Sequence, residues 1–170
     1  MSASMYPTPH RLFIGKDNHK FFVSHMTVLP DGQKERLHGH NYMVALRIDL
    51  RDISFQNFLH FDVFKKSMEA QCKEWDEHVL VAEHNPFLKI LKRDSTEVEF
   101  TLCGKRYVLP ADEVIFLPLE NIVVETLSRE FCRRIIERMG PALDKKLVAS
   151  LDVAVTETVG QGGGYFHVVE

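Results

Sequence analysis

Three histidines stand closest to chemistry in this chain. His38 and His40 lie one residue apart in RLHGHNY (Arg36–Tyr42). On a strand, side chains at i and i+2 share a face, so both imidazoles point the same way. His25 ends an aromatic-rich stretch, FFVSH, and a hairpin with a wide loop can set it opposite that pair. Three imidazoles without a fourth protein ligand are the donor set of a zinc site that keeps one position open. Such a position binds a hydroxyl or carbonyl oxygen and lowers its pKa, or stabilises an enolate forming beside it. The same pattern also fits half-buried polar histidines with no metal at all. HxH occurs in cupins too, where a glutamate follows on the same strand. Here NYMVALRI offers no acid before Asp49, which weakens a cupin-like reading.

The remaining composition narrows the class. A chain of 170 residues can bury a core as one domain without disulfides. The apolar fraction of 45% is that of an ordinary globular protein. A net charge of −3, with no Lys/Arg run longer than two, argues against a nucleic-acid surface. Cys72, Cys103 and Cys132 are scattered and form no CxxC, so neither a disulfide framework nor a thiolate zinc site is expected. No apolar run is long enough to span a bilayer and the N-terminus lacks a signal-peptide pattern, so a cytoplasmic location is expected.

The elements that must position the histidines follow from periodicity. Residues 1–9 are small and polar and are expected to fray. RLFIG and HKFFVSHMTVL read as an extended strand, bulged around Gly15–Asn18. A PDGQ turn follows, then LHGHNYMVALRIDL as the second arm of a long hairpin. A helix fits Asp62 to Trp75, with Asp62 as N-cap and Phe64, Met68, Cys72 and Trp75 on one face. Glu97–Leu109 reads as a second hairpin turning at Cys103-Gly104-Lys105. A second helix spans about Glu120 to Met139, carries Leu127, Phe131 and Ile135 on one face, and stops at Gly140-Pro141. KLVASLDVAVTET and YFHVVE close the chain as strands separated by GQGGG. Hairpins with two helices predict an α+β domain whose helices cover one face of an antiparallel sheet.

The motifs in this order resemble the 6-pyruvoyltetrahydropterin synthase and 6-carboxytetrahydropterin synthase family. The resemblance runs from FFVSHM and LHGHNYMV through FLHFDVFK, WDEHVLV and VVETLS to VAVTET and GGYF, about Phe21 to Tyr165. It implies a tunnelling fold, a four-stranded antiparallel sheet with two helices. Subunits joined edge to edge would form a barrel, commonly a hexamer of two trimers with active sites at subunit interfaces. It implies that His25, His38 and His40 bind zinc (Zn2+) and that the substrate is 7,8-dihydroneopterin triphosphate. By position Glu157 matches the glutamate that anchors the pterin ring. A carboxylate suits that task because it accepts two hydrogen bonds from one planar edge.

Two departures bear on the reaction. The family's usual catalytic cysteine lies four or six residues before HGH, where this chain has Lys34 and Gly32. Glu35, in ERLHGH, instead resembles the branch in which ExxHGH supplies a glutamate. That branch is associated with side-chain cleavage to 6-hydroxymethyl-7,8-dihydropterin, a folate precursor, rather than with elimination to 6-pyruvoyltetrahydropterin. The family's Asp-His pair appears as WDEHVLV, so Asp76 matches, Glu77 takes the histidine's place and His78 stands one residue late. Asp76, His78 and, as substitute, Glu77 are the relay candidates. Glu125 matches a family glutamate, although a carboxylate in a helix's first turn needs no such role. The reading is therefore a zinc-dependent pterin lyase with Glu35, Asp76 and His78 in catalysis. 6-Pyruvoyl- or 6-carboxytetrahydropterin synthesis, a pterin- or zinc-binding protein without turnover, and a cupin-like metal binder are the alternatives.

Overall fold

Two short strands, β1 (His10–Ile14) and β2 (Lys20–His25), share one long partner, β3 (His38–Leu50). Both pair with it antiparallel, Arg11 opposite Asp49 and Phe21 opposite Tyr42, so the long hairpin forms and is interrupted at residues 15–19. The computed structural model describes residues 10–170; the stretch 1–9, expected to fray, lies outside the described residues. Helix α1 (Asp62–Trp75) follows, then β4 (His78–Ala82), β5 (Leu88–Arg93), β6 (Glu97–Leu102), β7 (Lys105–Pro110) and β8 (Val114–Leu117). Helix α2 (Val124–Met139) and the hairpin β9 (Val148–Thr158) and β10 (Gln161–Val168) complete the chain.

The sheet is larger than the four antiparallel strands expected. Its order is β10-β9-β3-β2-β4-β8, with β1 also on β3, and β4 and β8 run parallel to β2. HVLVA and VIFL are short apolar runs whose periodicity does not separate strand from helix. They form strands because the outer edge of β2 otherwise presents unpaired main-chain groups. A second sheet, β5-β6-β7, contains the hairpin read from the sequence, with Cys103 (φ 49°) and Gly104 (φ 73°) at its turn.

Alternate residues of the central strands build the main core. Phe21 and Val23 of β2, Tyr42, Val44, Leu46 and Ile48 of β3, and Leu151, Val153 and Val155 of β9 all face the helices. The rings of Phe21 and Phe131 each meet Trp75 edge-on, with centroids 5.3 and 5.6 Å apart. Edge-to-face pairs of this kind add specificity to the area they bury. The helices are also cross-linked, Arg138 of α2 meeting Glu74 of α1 at 2.7 Å. On the sheet's other face Asp49 is buried and accepts hydrogen bonds from Arg11 (2.7 Å) and Ser150 (2.6 Å), which hold its carboxyl below the usual range. Among the described residues, no helix is long and apolar enough to cross a membrane.

Three boundaries differ from expectation for local reasons. Asp62 is the first residue of α1 rather than its cap; Phe61 holds the cap position and the Asp62 carboxylate pairs with Lys65. Helix α2 starts at Val124, not near Glu120, because Asn121 is spent on the backbone of Val28. The glycine-rich stretch is strand rather than loop. At Gly163 a Cβ would stand 2.9 Å from the Glu125 nitrogen and 3.0 Å from the Val124 carbonyl carbon, so glycine lets β10 press against the first turn of α2. Gly163→Ala is accordingly expected to destabilise the protein by about 1–3 kcal/mol. A urea unfolding midpoint equal to wild type would contradict that contact.

Candidate metal centre and active site

The inward face of β3 changes character at its first residues. Tyr42, Val44 and Leu46 are core, but His38 and His40 occupy the same face one turn of the pleat earlier. The β2–β3 register sets His25 directly opposite His38 and Val23 opposite His40. The three imidazoles therefore converge at the polar end of the core face, with one ligand nitrogen from each within 4.8 Å of the others.

Second contacts fix which nitrogen of the ring faces inward. His25 Nδ1–H donates to Ile122 O (3.1 Å) and His38 Nδ1–H donates to Arg36 O (2.7 Å). Both Nε2 atoms therefore carry the ring's lone pair, and that of His38 stands 3.1 Å from His40 Nε2. Two nitrogens bound to one tetrahedral metal at about 2.0–2.1 Å lie roughly 3.3 Å apart, so the spacing fits a shared ion. A carbonyl on the far nitrogen of a ligating histidine is the usual device for holding tautomer and ring orientation. The donor set fits zinc: all nitrogen, three ligands, one side open. Burial, then His38 and His40, lowers the His25 pKa to about 4, so this ring is neutral and ready to ligate at pH 7.

Around the imidazoles lies a cavity of about 400 Å³, lined also by Thr27, Glu35, Tyr42, Val123, Val124, Glu125 and Glu157. That volume suits a small organic ligand. Glu35 reaches it from the loop before β3, with Oε2 3.8 Å from His38 Nε2 and its side chain 55% exposed. Glu157 comes from β9, on the face of Val153 and Val155, with Oε2 3.7 Å from His40 Nε2 and Gln161 on its other oxygen. Glu125 enters from the first turn of α2, whose position Gly163 and the Asn121 clamp determine.

The structure thus brings His25, His38, His40, Glu35 and Glu157 together in one cavity, which Asp76 and His78 do not line. Asp76 Oδ1 accepts the Phe22 N–H (2.7 Å), and His78 Nδ1–H donates to Asp76 O (2.5 Å). His78 and Glu77 line a second groove, about 510 Å³, with Phe22, Ser24, Asn41 and Glu113, and His40 lines both this groove and the imidazole cavity. Between α1 and β4, Glu77 takes a left-handed φ of 59°. Tyr42 is the residue that sequence reasoning passed over. Its buried hydroxyl lies 3.0 Å from His25 Nε2 and donates to that lone pair when no metal holds it. The signal was parity: Tyr42 follows His40 by two on the same strand face.

Two outcomes follow from this geometry. His38→Ala is expected to abolish stoichiometric binding of zinc or cobalt, measured by competition with a chromophoric chelator, because two imidazoles remain where three are needed. In the metal-free protein the unfolded His25 (pKa near 6.5) takes up a proton that the folded ring refuses until about pH 4. Stability therefore falls as pH drops through that window, by on the order of 3 kcal/mol. His25→Gln should remove that part of the pH dependence of the urea midpoint between pH 7 and pH 4, and equal slopes in both proteins would rule it out.

Comparison with known proteins identifies the family. Residues 14–167 match the family described as 6-pyruvoyl tetrahydropterin synthase. A Methanocaldococcus jannaschii protein, provisionally named 6-carboxy-5,6,7,8-tetrahydropterin synthase, is 27% identical over 135 residues, 79% of this chain and 82% of the relative. The fold superposes on the 6-pyruvoyl tetrahydropterin synthase of Plasmodium vivax with a TM-score of 0.86 and 23% identity. For that of Plasmodium falciparum the values are 0.85 and 20%; in both cases 94% of this chain and 98% of the other are covered. With nearly the whole described chain matched, the protein belongs to the 6-pyruvoyl tetrahydropterin synthase family and is an enzyme of that pterin-lyase kind.

Proposed function

We propose that the protein is a zinc-dependent lyase that cleaves the side chain of 7,8-dihydroneopterin triphosphate to 6-hydroxymethyl-7,8-dihydropterin, in folate synthesis. The carrying observation is Glu35, a carboxylate in the same cavity as the three imidazoles and Glu157, 3.8 Å from His38 Nε2. The thiols support this choice. Cys72 and Cys132 are buried in the helices, with burial pushing both up to about 12, and Cys103 sits at the β6–β7 turn. No cysteine lines the cavity. Variants of the Plasmodium vivax synthase in which a glutamate is replaced by alanine or cysteine are described as catalytic-residue mutants, so a glutamate has that standing in a protein of this fold.

His25, His38 and His40 would hold the zinc, which when bound acidifies the side-chain hydroxyls and stabilises negative charge forming on their oxygens. Glu157 accepts two hydrogen bonds from the aminopyrimidinone edge of the ring and so sets the side chain toward the imidazoles. Glu35 takes the proton of the C2′ hydroxyl as that carbon becomes an aldehyde. The C1′–C2′ bond breaks and its electron pair passes to C1′ and the conjugated ring. C2′ and C3′ depart as the triphosphorylated two-carbon aldehyde, and C1′ regains a proton and stays on the ring as the hydroxymethyl group. The proton accepted by Glu35 supplies that return, so no external acid or oxidant is required. Asp76 and His78 do not reach this cavity within one protomer. In an edge-to-edge hexamer with active sites at subunit interfaces, their groove would face the cavity of a neighbouring copy.

The test is to incubate the zinc-loaded protein with 7,8-dihydroneopterin triphosphate and identify the pterin by mass. Hydroxymethyl-dihydropterin is expected from wild type. Glu35→Ala should lose at least about a hundredfold in kcat, as befits removal of a general base. Glu157→Ala should act mainly on KM. A pyruvoyl or carboxy product would reassign the reaction within the family. Unchanged substrate with zinc bound would make the protein a pterin binder without turnover.

A further inference from the structure

Glu35 stands on a small hairpin that belongs to neither sheet. Val28 bridges Lys34, the Glu35 N–H donates to Thr27 O (2.9 Å), and Gly32 (φ 81°) makes the turn. This hairpin leaves the large sheet between β2 and β3 and leans on the small one. Met26 and Val28 of its first arm are buried with Val81, Phe100 and Leu102. The Asn121 side chain pins that arm further, accepting from Val28 N–H (3.0 Å) and donating to Val28 O (2.9 Å). At the tip, the Phe87 ring lies so close to Gly32 that a Cβ there would stand 3.0 Å from it.

The second arm, which carries Glu35, is held differently. Lys34 Nζ donates to Glu35 O (3.0 Å) and lies 5.2 Å from the centroid of the Tyr107 ring on β7. Tyr107 is itself stacked at 5.2 Å on Phe100, which is fully buried. An ammonium over an aromatic face is attracted by the ring's quadrupole, and more strongly where both are partly desolvated. A rigid path therefore runs from the small core through Tyr107 and Lys34 to the main chain of Glu35. The carboxylate has no packing of its own to fix it, since its side chain is more than half exposed.

Resting on the reading of Glu35 as the proton-transfer group, we propose that Tyr107 is a positioning residue for it. The ring anchors the Lys34 ammonium, the ammonium anchors the Glu35 carbonyl, and the three-stranded sheet thereby sets where the carboxylate meets the cavity. Proton transfer is sensitive to sub-ångström placement of the base, whereas ring binding at Glu157 on β9 is not coupled to this path.

The test compares zinc-loaded Tyr107→Phe, Tyr107→Leu and Lys34→Met with wild type and Glu35→Ala. Tyr107→Leu and Lys34→Met should lower kcat roughly fivefold, the rate equivalent of one such contact. KM should not change, and amide exchange across residues 33–36 should quicken. Tyr107→Phe keeps the ring face and should match wild type in all three readings. If Tyr107→Leu does not fold, Lys34→Met decides, because that side chain is outside both cores. Unchanged kcat and exchange in Tyr107→Leu or Lys34→Met, while Glu35→Ala is inactive, would overturn this inference and leave the proposed function standing. An equal loss in Tyr107→Phe would overturn it too, since the ring face is then not what matters. A wild-type enzyme without turnover would overturn the function reading itself, and this role with it.

Discussion

The pairing register of β2 with β3 is the constraint on which the site depends. Because His25 lies opposite His38 and Val23 opposite His40, the three imidazoles share one face and one end of the sheet. A slip of one residue would send His38 and His40 to the other face. The histidines do not enforce the register themselves. Phe21 opposite Tyr42, both fully buried in the aromatic cluster with Trp75 and Phe131, makes any slip expose large rings. The ligand geometry is thus inherited from hydrophobic packing a few ångströms away, and the cost of desolvating His25 is borne by the same core.

Electrostatics then divides the cavity into roles. His25, the most buried of the three, is kept neutral by burial and by its neighbours, and its far nitrogen is committed to Ile122 O. Glu35, Glu125 and Glu157 surround the imidazoles and supply the negative charge that a divalent cation would balance. Tyr42 caps the His25 lone pair when no metal takes it, so the ligand is not left as an unpaired buried acceptor. The same chain segment joins these parts: Asn121 clamps Val28, Ile122 receives His25, and Val123, Val124 and Glu125 wall the cavity.

What the sequence revealed and what it hid divide along local and non-local lines. The shared face of His38 and His40, the span of α1, the Cys103–Gly104 turn and the stop of α2 at Gly140 follow from periodicity and turn chemistry within a few residues. The late start of α2 does not, because it is decided by a backbone 93 residues away that Asn121 must reach. Gly162 and Gly163 read as a loop because their reason for being glycine, the closeness of β9 and α2, is tertiary. The strands β4 and β8 were hidden for a similar reason: their edge partner, not their composition, makes them strands. Within the site, the register brought three imidazoles and two carboxylates together, while Asp76 was drawn off to the Phe22 amide and His78 to an adjoining groove that shares His40. Spacing along the chain does not report which side of β2 a residue after α1 will reach.

The site lies where two cores meet, and each contributes a different kind of rigidity. The large core fixes the imidazoles through the central strands of a sheet, where β2 pairs with β3 as far as His25 opposite His38 and β9 joins β3 from Met43 onward. The small core, with Phe100, Leu102 and Val81, supports the loop that carries Glu35. Metal ligation demands the first arrangement, since three nitrogens must agree on one point to within a fraction of an ångström. The group that moves a proton needs only to be aimed, and an aimed group can sit on a loop whose residues change without disturbing the scaffold. Glu35 lines the cavity from such a loop, with Gly32 at its turn and Lys34 beside it. The three imidazoles sit on the sheet and the Glu35 carboxylate on a loop, so the loop residue can change without moving the imidazoles.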